Sequence, residues 1–172
     1  MKALFITGID YESQIQIGDH HLARQFVQDG WDVAFLSTPI TPFHLFSKNK
    51  PSLARRLRNH YESGYIHLLN KGKLWSYVPA GLIIPRNILG LSSSFFYQHW
   101  IDFTFPNIKK VLVREGFDHV DLLYIRDSTQ AVYNSFIQKK FTVFRLADND
   151  AGFNNYTNEV NKNQTQLAKN SD

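Results

Sequence analysis

The chain opens on a nearly continuous apolar run from Lys2 to Thr7, the pattern of a strand buried on both faces. Gly8 stops the run, and a polar loop continues to Gly18. Beyond it Leu22, Ala23, Phe26 and Val27 share one helical face, with Asp19 as the predicted N-cap and Gly30 as the stop. Asp32 to Leu36 is the next apolar run. Strand, helix and strand in this order make a βαβ unit, for which a parallel sheet and a right-handed crossover are expected.

The middle is less regular. Ser52 to His60 reads as a basic helix, and Tyr65–Leu69 and Leu74–Val78 as short strands around an Asn70-Lys-Gly-Lys73 turn. An aromatic helix carrying Phe95, Phe96, Trp100 and Phe103 is broken by Pro106, which can open a further helix that Gly116 ends. Val120 to Ile125 then predicts a strand, and Asp127 or Ser128 caps a helix with Val132, Tyr133, Phe136 and Ile137 on one face. Phe141 to Leu146 is the last strand. From Asn154 onward the chain is polar and Asn-rich, predicting a frayed helix, a linker or disorder that buries little. The predicted fold is α/β, a Rossmann-like parallel sheet flanked by helices, with a domain over residues 1–153 and a tail over 154–172.

Composition narrows the function classes. The 172 residues suit one domain, and 14 Phe and 8 Tyr demand either a large core or an apolar binding surface. There are no cysteines, so disulfides and thiolate chemistry are excluded. The N-terminus lacks the apolar run of a signal peptide, and no stretch reaches the roughly 20 apolar residues of a spanning helix. A cytoplasmic protein with at most peripheral contact to the inner membrane face is expected. The formal charge of +4 is unevenly placed: Lys48, Lys50, Arg55, Arg56, Arg58, Lys71 and Lys73 crowd one segment beside Tyr61, Tyr65, Trp75 and Tyr77. Such a segment suits phosphate or an anionic membrane surface, and equally an ordinary solvated face; nucleic acid is not an expected partner.

Candidate chemistry gathers where predicted strands end, because in open α/β sheets ligands bind at the carboxyl edge. Asp148 and Asp150 follow the last strand, as metal ligands, as a general base, or as caps of a following helix. Asp10, Glu12 and Asp19, in or beside the first loop, can accept from sugar hydroxyls or be ordinary loop acids. That loop lacks both Gly-x-Gly-x-x-Gly and a P-loop. His20 is a candidate for acceptor or phosphate contact, and no histidine spacing suits a metal site. Arg126 begins a strand-to-helix turn, Arg126-Asp-Ser-Thr129, that can receive an anion or a sugar.

The segment Asp121-Leu-Leu-Tyr-Ile-Arg-Asp-Ser-Thr-Gln-Ala-Val, continuing to Phe141-Thr-Val-Phe-Arg145-Leu-Ala-Asp148-Asn-Asp150, resembles the N-terminal domain of GT-B glycosyltransferases. It is most similar to the membrane-associated glucuronosyltransferase of xanthan assembly, with its aromatic-Arg-x-x-Asp pattern. The element order matches over most of residues 1–160, and the residues match closely from about 120 to 150. The resemblance implies that Asp148 is the general base of an inverting, metal-independent transfer from a nucleotide sugar to a lipid-linked or saccharide acceptor. Arg145 would orient or pair with that base, and Asp150 would cap or touch the acceptor. It also implies a second domain, in cis or in trans, for the nucleotide-sugar donor; this domain would bind no cofactor itself and would be inactive alone. A metal-dependent GT-A-type enzyme using Asp148 and Asp150, and a non-catalytic lipid- or saccharide-binding module, are the alternatives.

Overall fold

Six strands form one sheet in the order β3-β4-β2-β1-β7-β8, parallel except for β3, which pairs antiparallel with β4. The strands are β1 (Lys2–Ile6), β2 (Asp32–Leu36), β3 (Tyr65–Leu69), β4 (Gly72–Tyr77), β7 (His119–Ile125) and β8 (Gln138–Phe144). A two-stranded ribbon, β5 (Ala80–Gly81) and β6 (Thr104–Phe105), stands apart from it. The helices are α1 (Gly18–Gln28), α2 (Lys50–Tyr61), α3 (Ser94–His99), α4 (Ile108–Glu115), α5 (Tyr133–Phe136) and α6 (Asn158–Lys169). The structure is a computed structural model and describes residues 1–46, 50–69, 71–85, 93–146, 158–169 and 171.

Alternation along the strands divides the core between the two faces of the sheet. Ala3, Phe5, Val33, Phe35, Leu74 and Tyr124 meet Ala23 and Val27 of α1 on one face. Leu4, Ile6, Leu36, Trp75, Leu123 and Ile125 face Trp100, Ile108, Leu112 and Tyr133 on the other. A fully buried side chain of this size contributes about 1.5–3 kcal/mol, which explains why strands lacking polar interruptions sit at the centre. The aromatic surplus is divided: Phe5, Phe35, Tyr77, Trp100 and Tyr133 are buried, while Phe43, Phe46, Phe95 and Phe105 are exposed.

Several boundaries move from their predicted places for identifiable reasons. Ile17, not Asp19, is the N-cap of α1, because the Asp19 side chain is drawn to partners far along the chain. The helix after Pro106 starts at Ile108, where Asn107 accepts from the backbone N–H of Lys109 and Lys110. It ends at Gly116, whose φ of 74° is the left-handed turn that suits glycine. The helix predicted from Asp127 shrinks to a 3-10 turn at Ser128–Gln130 followed by the four residues of α5. Strand β8 spans Gln138–Phe144, so Arg145 and Leu146 lie just past its end. Within the polar tail, Leu167 of α6 is buried in the main core, more burial than composition predicts.

Candidate active-site edge

All five parallel strands of the sheet end on one side, and the loops there carry most of the predicted site. Gly18, Asp19 and the start of α1 lie against the ends of β7 and β8. The Asp19 carboxylate is fully buried: Oδ1 accepts from Tyr124 O–H at 2.7 Å and Arg145 Nη1 at 2.7 Å, and Oδ2 from Arg126 Nη1 at 3.1 Å. Burial pushes the Tyr124 phenol up to about 12, so it stays a donor throughout the ordinary pH range. Hydrogen bonding with Tyr124, and then the charges of Tyr124 and Asp19, raise the Arg145 guanidinium further above its usual value. Asp19 therefore anchors two arginines, and its oxygens are turned away from solvent.

The other acids of the first loop are also turned inward. Asp10 Oδ2 accepts from Arg55 Nε at 3.1 Å and Nη2 at 3.0 Å, and Arg56 Nε stands 4.0 Å from Oδ1. Burial lowers the Arg56 guanidinium below its usual value, only partly offset by the charge of Asp10. Glu12 Oε1 accepts from Ser76 Oγ and from His67 Nε2, the latter at 3.2 Å. Burial pushes the Glu12 carboxyl up, but those two hydrogen bonds and one to the backbone outweigh it and hold the group below the usual carboxylate value. His20 is fully buried: Nδ1 accepts from the Ile17 N–H at 3.3 Å, which leaves Nε2–H to donate to the Asp10 carbonyl at 3.1 Å. Tyr11 fills the space between them, packing on the rings of His20, Phe35 and His67.

The turn after β7 closes on itself. Asp127 Oδ1 accepts from both the backbone N–H and the hydroxyl of Thr129 at 2.8 Å, and Gln130 Nε2 donates to the Thr7 carbonyl at 3.0 Å. Ser128 Oγ and Gln130 Oε1 are buried without a partner among the described residues. The predicted basic segment is divided between the two edges of the sheet. Arg55 and Arg56 serve Asp10 at the carboxyl edge, and Arg58 pairs with Glu62 one helical turn on at 2.8 Å. Lys71 and Lys73, both exposed, sit at the opposite edge where β4 begins, and Lys50 is the exposed first residue of α2. Lys48, Asp148 and Asp150 lie outside the described residues.

Beyond β2 and β4 the carboxyl edge turns apolar. Ile40, Thr41, Pro42, Ala80, Gly81, Leu82 and Phe105 line a groove of about 260 Å³. Of these Leu82 and Phe105 are exposed, as are Phe43 and Phe46 in the 3-10 turn that begins at Pro42. Among the described residues no three His, Cys, Asp or Glu side chains converge as metal ligands, and no helix is long and apolar enough to cross a membrane.

Sequence reasoning missed Tyr124, Ser76 and His67 as parts of this edge. Tyr124 was within reach, since it lies two residues before Arg126 and so shares its face of the strand. Ser76 and His67 meet Glu12 only through pairing of β3 with β4, which no local signal specifies. Among the described residues beside the strand leading to Asp148, Arg126 and Arg145 stay partly open to solvent, with side chains 24% and 47% exposed. No curated protein matches the chain. Residues 5–172 match the family described as glucuronosyltransferase GumK, N-terminal domain. With the Rossmann-like sheet of the N-terminal half of a GT-B fold, this match makes the chain a glycosyltransferase N-terminal domain, and it belongs to that GumK family.

Proposed function

We propose that the domain holds the acceptor for transfer of a sugar from a nucleotide sugar to a lipid-linked saccharide in surface polysaccharide synthesis. The observation that carries this reading is the polarity of the carboxyl edge. Its loop acids are consumed in contacts to α2, β3, β4 and the arginines, while Arg126 and Arg145, held by Asp19, remain partly exposed beside the strand that leads to Asp148. In this reading Asp148 takes the proton of the acceptor hydroxyl as that oxygen bonds to the anomeric carbon. The bond from that carbon to the nucleotide diphosphate breaks, and its electron pair leaves with the phosphate. A carboxylate of ordinary acidity suffices, because the proton moves as the new bond forms. The donor is held by a second, nucleotide-sugar domain, and the family's name makes a glucuronosyl nucleotide the first donor to assay.

Exposed Leu82 and Phe105 in the apolar groove, and exposed Phe43 and Phe46 in the 3-10 turn that begins at Pro42, support contact with the membrane in which a lipid-linked acceptor resides. Acceptor binding by the 172-residue chain tests the reading. Lipid-linked saccharide extracted from membranes should bind the chain saturably, and nucleotide sugar should not. Binding of nucleotide sugar without acceptor would overturn the assignment of this half.

A further inference from the structure

Resting on that reading, we infer that Arg126 and Arg145 form a site for a phosphoryl oxyanion, supplied by the diphosphate that joins the acceptor saccharide to its lipid. The two residues follow directly on Ile125 and Phe144, which are register partners, so they stand side by side at strand ends about 4.8 Å apart. Like charges so placed repel one another. Asp19 pairs with both, so among the described residues in these two ion pairs two guanidiniums share one carboxylate, leaving a single positive charge in excess.

The donors are arranged for an anion. Toward Asp19 and Tyr124 each arginine uses only Nη1; among the described residues Nε and Nη2 of both have no partner. The Nε and Nη2 edge is the one that meets two oxygens of a phosphate at once, and both side chains are open enough to reach it. Anchoring by a buried carboxylate fixes the pair before a ligand arrives, which lowers the ordering cost of binding. Gly18 borders the arrangement: a Cβ there would lie 2.9 Å from Arg145 Nη1 and 3.2 Å from Nη2, so an alanine would push the guanidinium away from the start of α1. Of the basic segment first considered for phosphate, Arg55 and Arg56 are engaged with Asp10, and Lys71 and Lys73 stand at the far edge.

Calorimetric titration of the 172-residue chain with inorganic pyrophosphate at low salt tests the site. The wild-type chain should bind saturably, and Arg126→Gln and Arg145→Gln should each weaken binding about tenfold or more, with circular dichroism reporting the fold. Arg145→Lys keeps a cation beside Asp19 but lacks the planar fork, and Gly18→Ala displaces the guanidinium with no change of charge. Both should bind several-fold more weakly even where the Gln variants fail to fold. No saturable binding by wild type, or binding within twofold of wild type by Arg145→Lys and Gly18→Ala, would overturn the proposal. A parallel titration with phosphatidylglycerol vesicles separates the sources. Arg145-dependent binding to vesicles without binding to pyrophosphate would assign the arginines to a lipid headgroup and remove the diphosphate. None of these measurements involves sugar transfer, so the site can fail while the transferase reading stands, and the reverse.

Discussion

Replacing Asp19 by Ala removes the acceptor shared by three donors from the first turn of α1. The Tyr124 hydroxyl is buried and would lose its acceptor, a cost of about 1–3 kcal/mol. Arg126 and Arg145 are 24% and 47% exposed and can turn to water, so each ion pair is worth nearer the surface value of about 0.5–1 kcal/mol. Their mutual repulsion across the β7–β8 ladder adds roughly a few tenths. The loss comes to about 3 kcal/mol, or a fall in Tm of roughly 6–12 °C for a domain of this size. Urea unfolding followed by far-ultraviolet circular dichroism measures it directly. Asp19→Asn, which keeps one acceptor oxygen, should lose less than Asp19→Ala, and added salt should recover part of the loss by screening the arginines. A loss under about 0.5 kcal/mol would refute the claim that Asp19 anchors this edge, since the measured effect of an exposed acid lies in that range.

Three other outcomes follow from the same geometry. Glu12 has its carboxyl held below the usual value in the folded chain, so its contribution is complete above the unfolded carboxyl range and is lost as pH falls through the folded value; Glu12→Gln should flatten the acid side of the stability profile measured by urea unfolding from pH 3 to 7. Asn59 is buried and ties α2 to the sheet, donating to the Ser76 carbonyl at 3.2 Å and accepting from the Val78 N–H at 2.8 Å; Asn59→Ala should cost about 2 kcal/mol by the same assay. Leu167 is 3% exposed, so Leu167→Ala should cost about 2–4 kcal/mol; an unchanged Tm would mean that α6 does not hold this place in the core.

What was legible in the sequence was local. The β1-α1-β2 unit came out within one or two residues because apolar periodicity and Gly30 mark it without help from the rest of the chain. The same holds for α4 and its stop at Gly116. Asp19 shows where local reading ends: it stands where an N-cap belongs, but its partners lie 105, 107 and 126 residues away. Asp10, Glu12 and His20 were legible as polar groups at the right edge and not as anchors, because their partners arrive on α2, β3, β4 or the loop's own backbone. Leu167 is one apolar residue in a polar tail, and only the packing of α6 against the core gives it weight. The arginines were legible by position, and their pairing became evident only through the register of β7 with β8.

Sugar transfer by the domain together with its donor domain, in cis or in trans, tests the central claim most directly. Labelled sugar should pass from nucleotide sugar to lipid-linked acceptor with wild-type Asp148. With Asp148→Asn transfer should fall by about 100-fold or more, the usual reach of a general base, while acceptor binding and the unfolding midpoint stay unchanged. Transfer by Asp148→Asn at the wild-type rate would contradict the account.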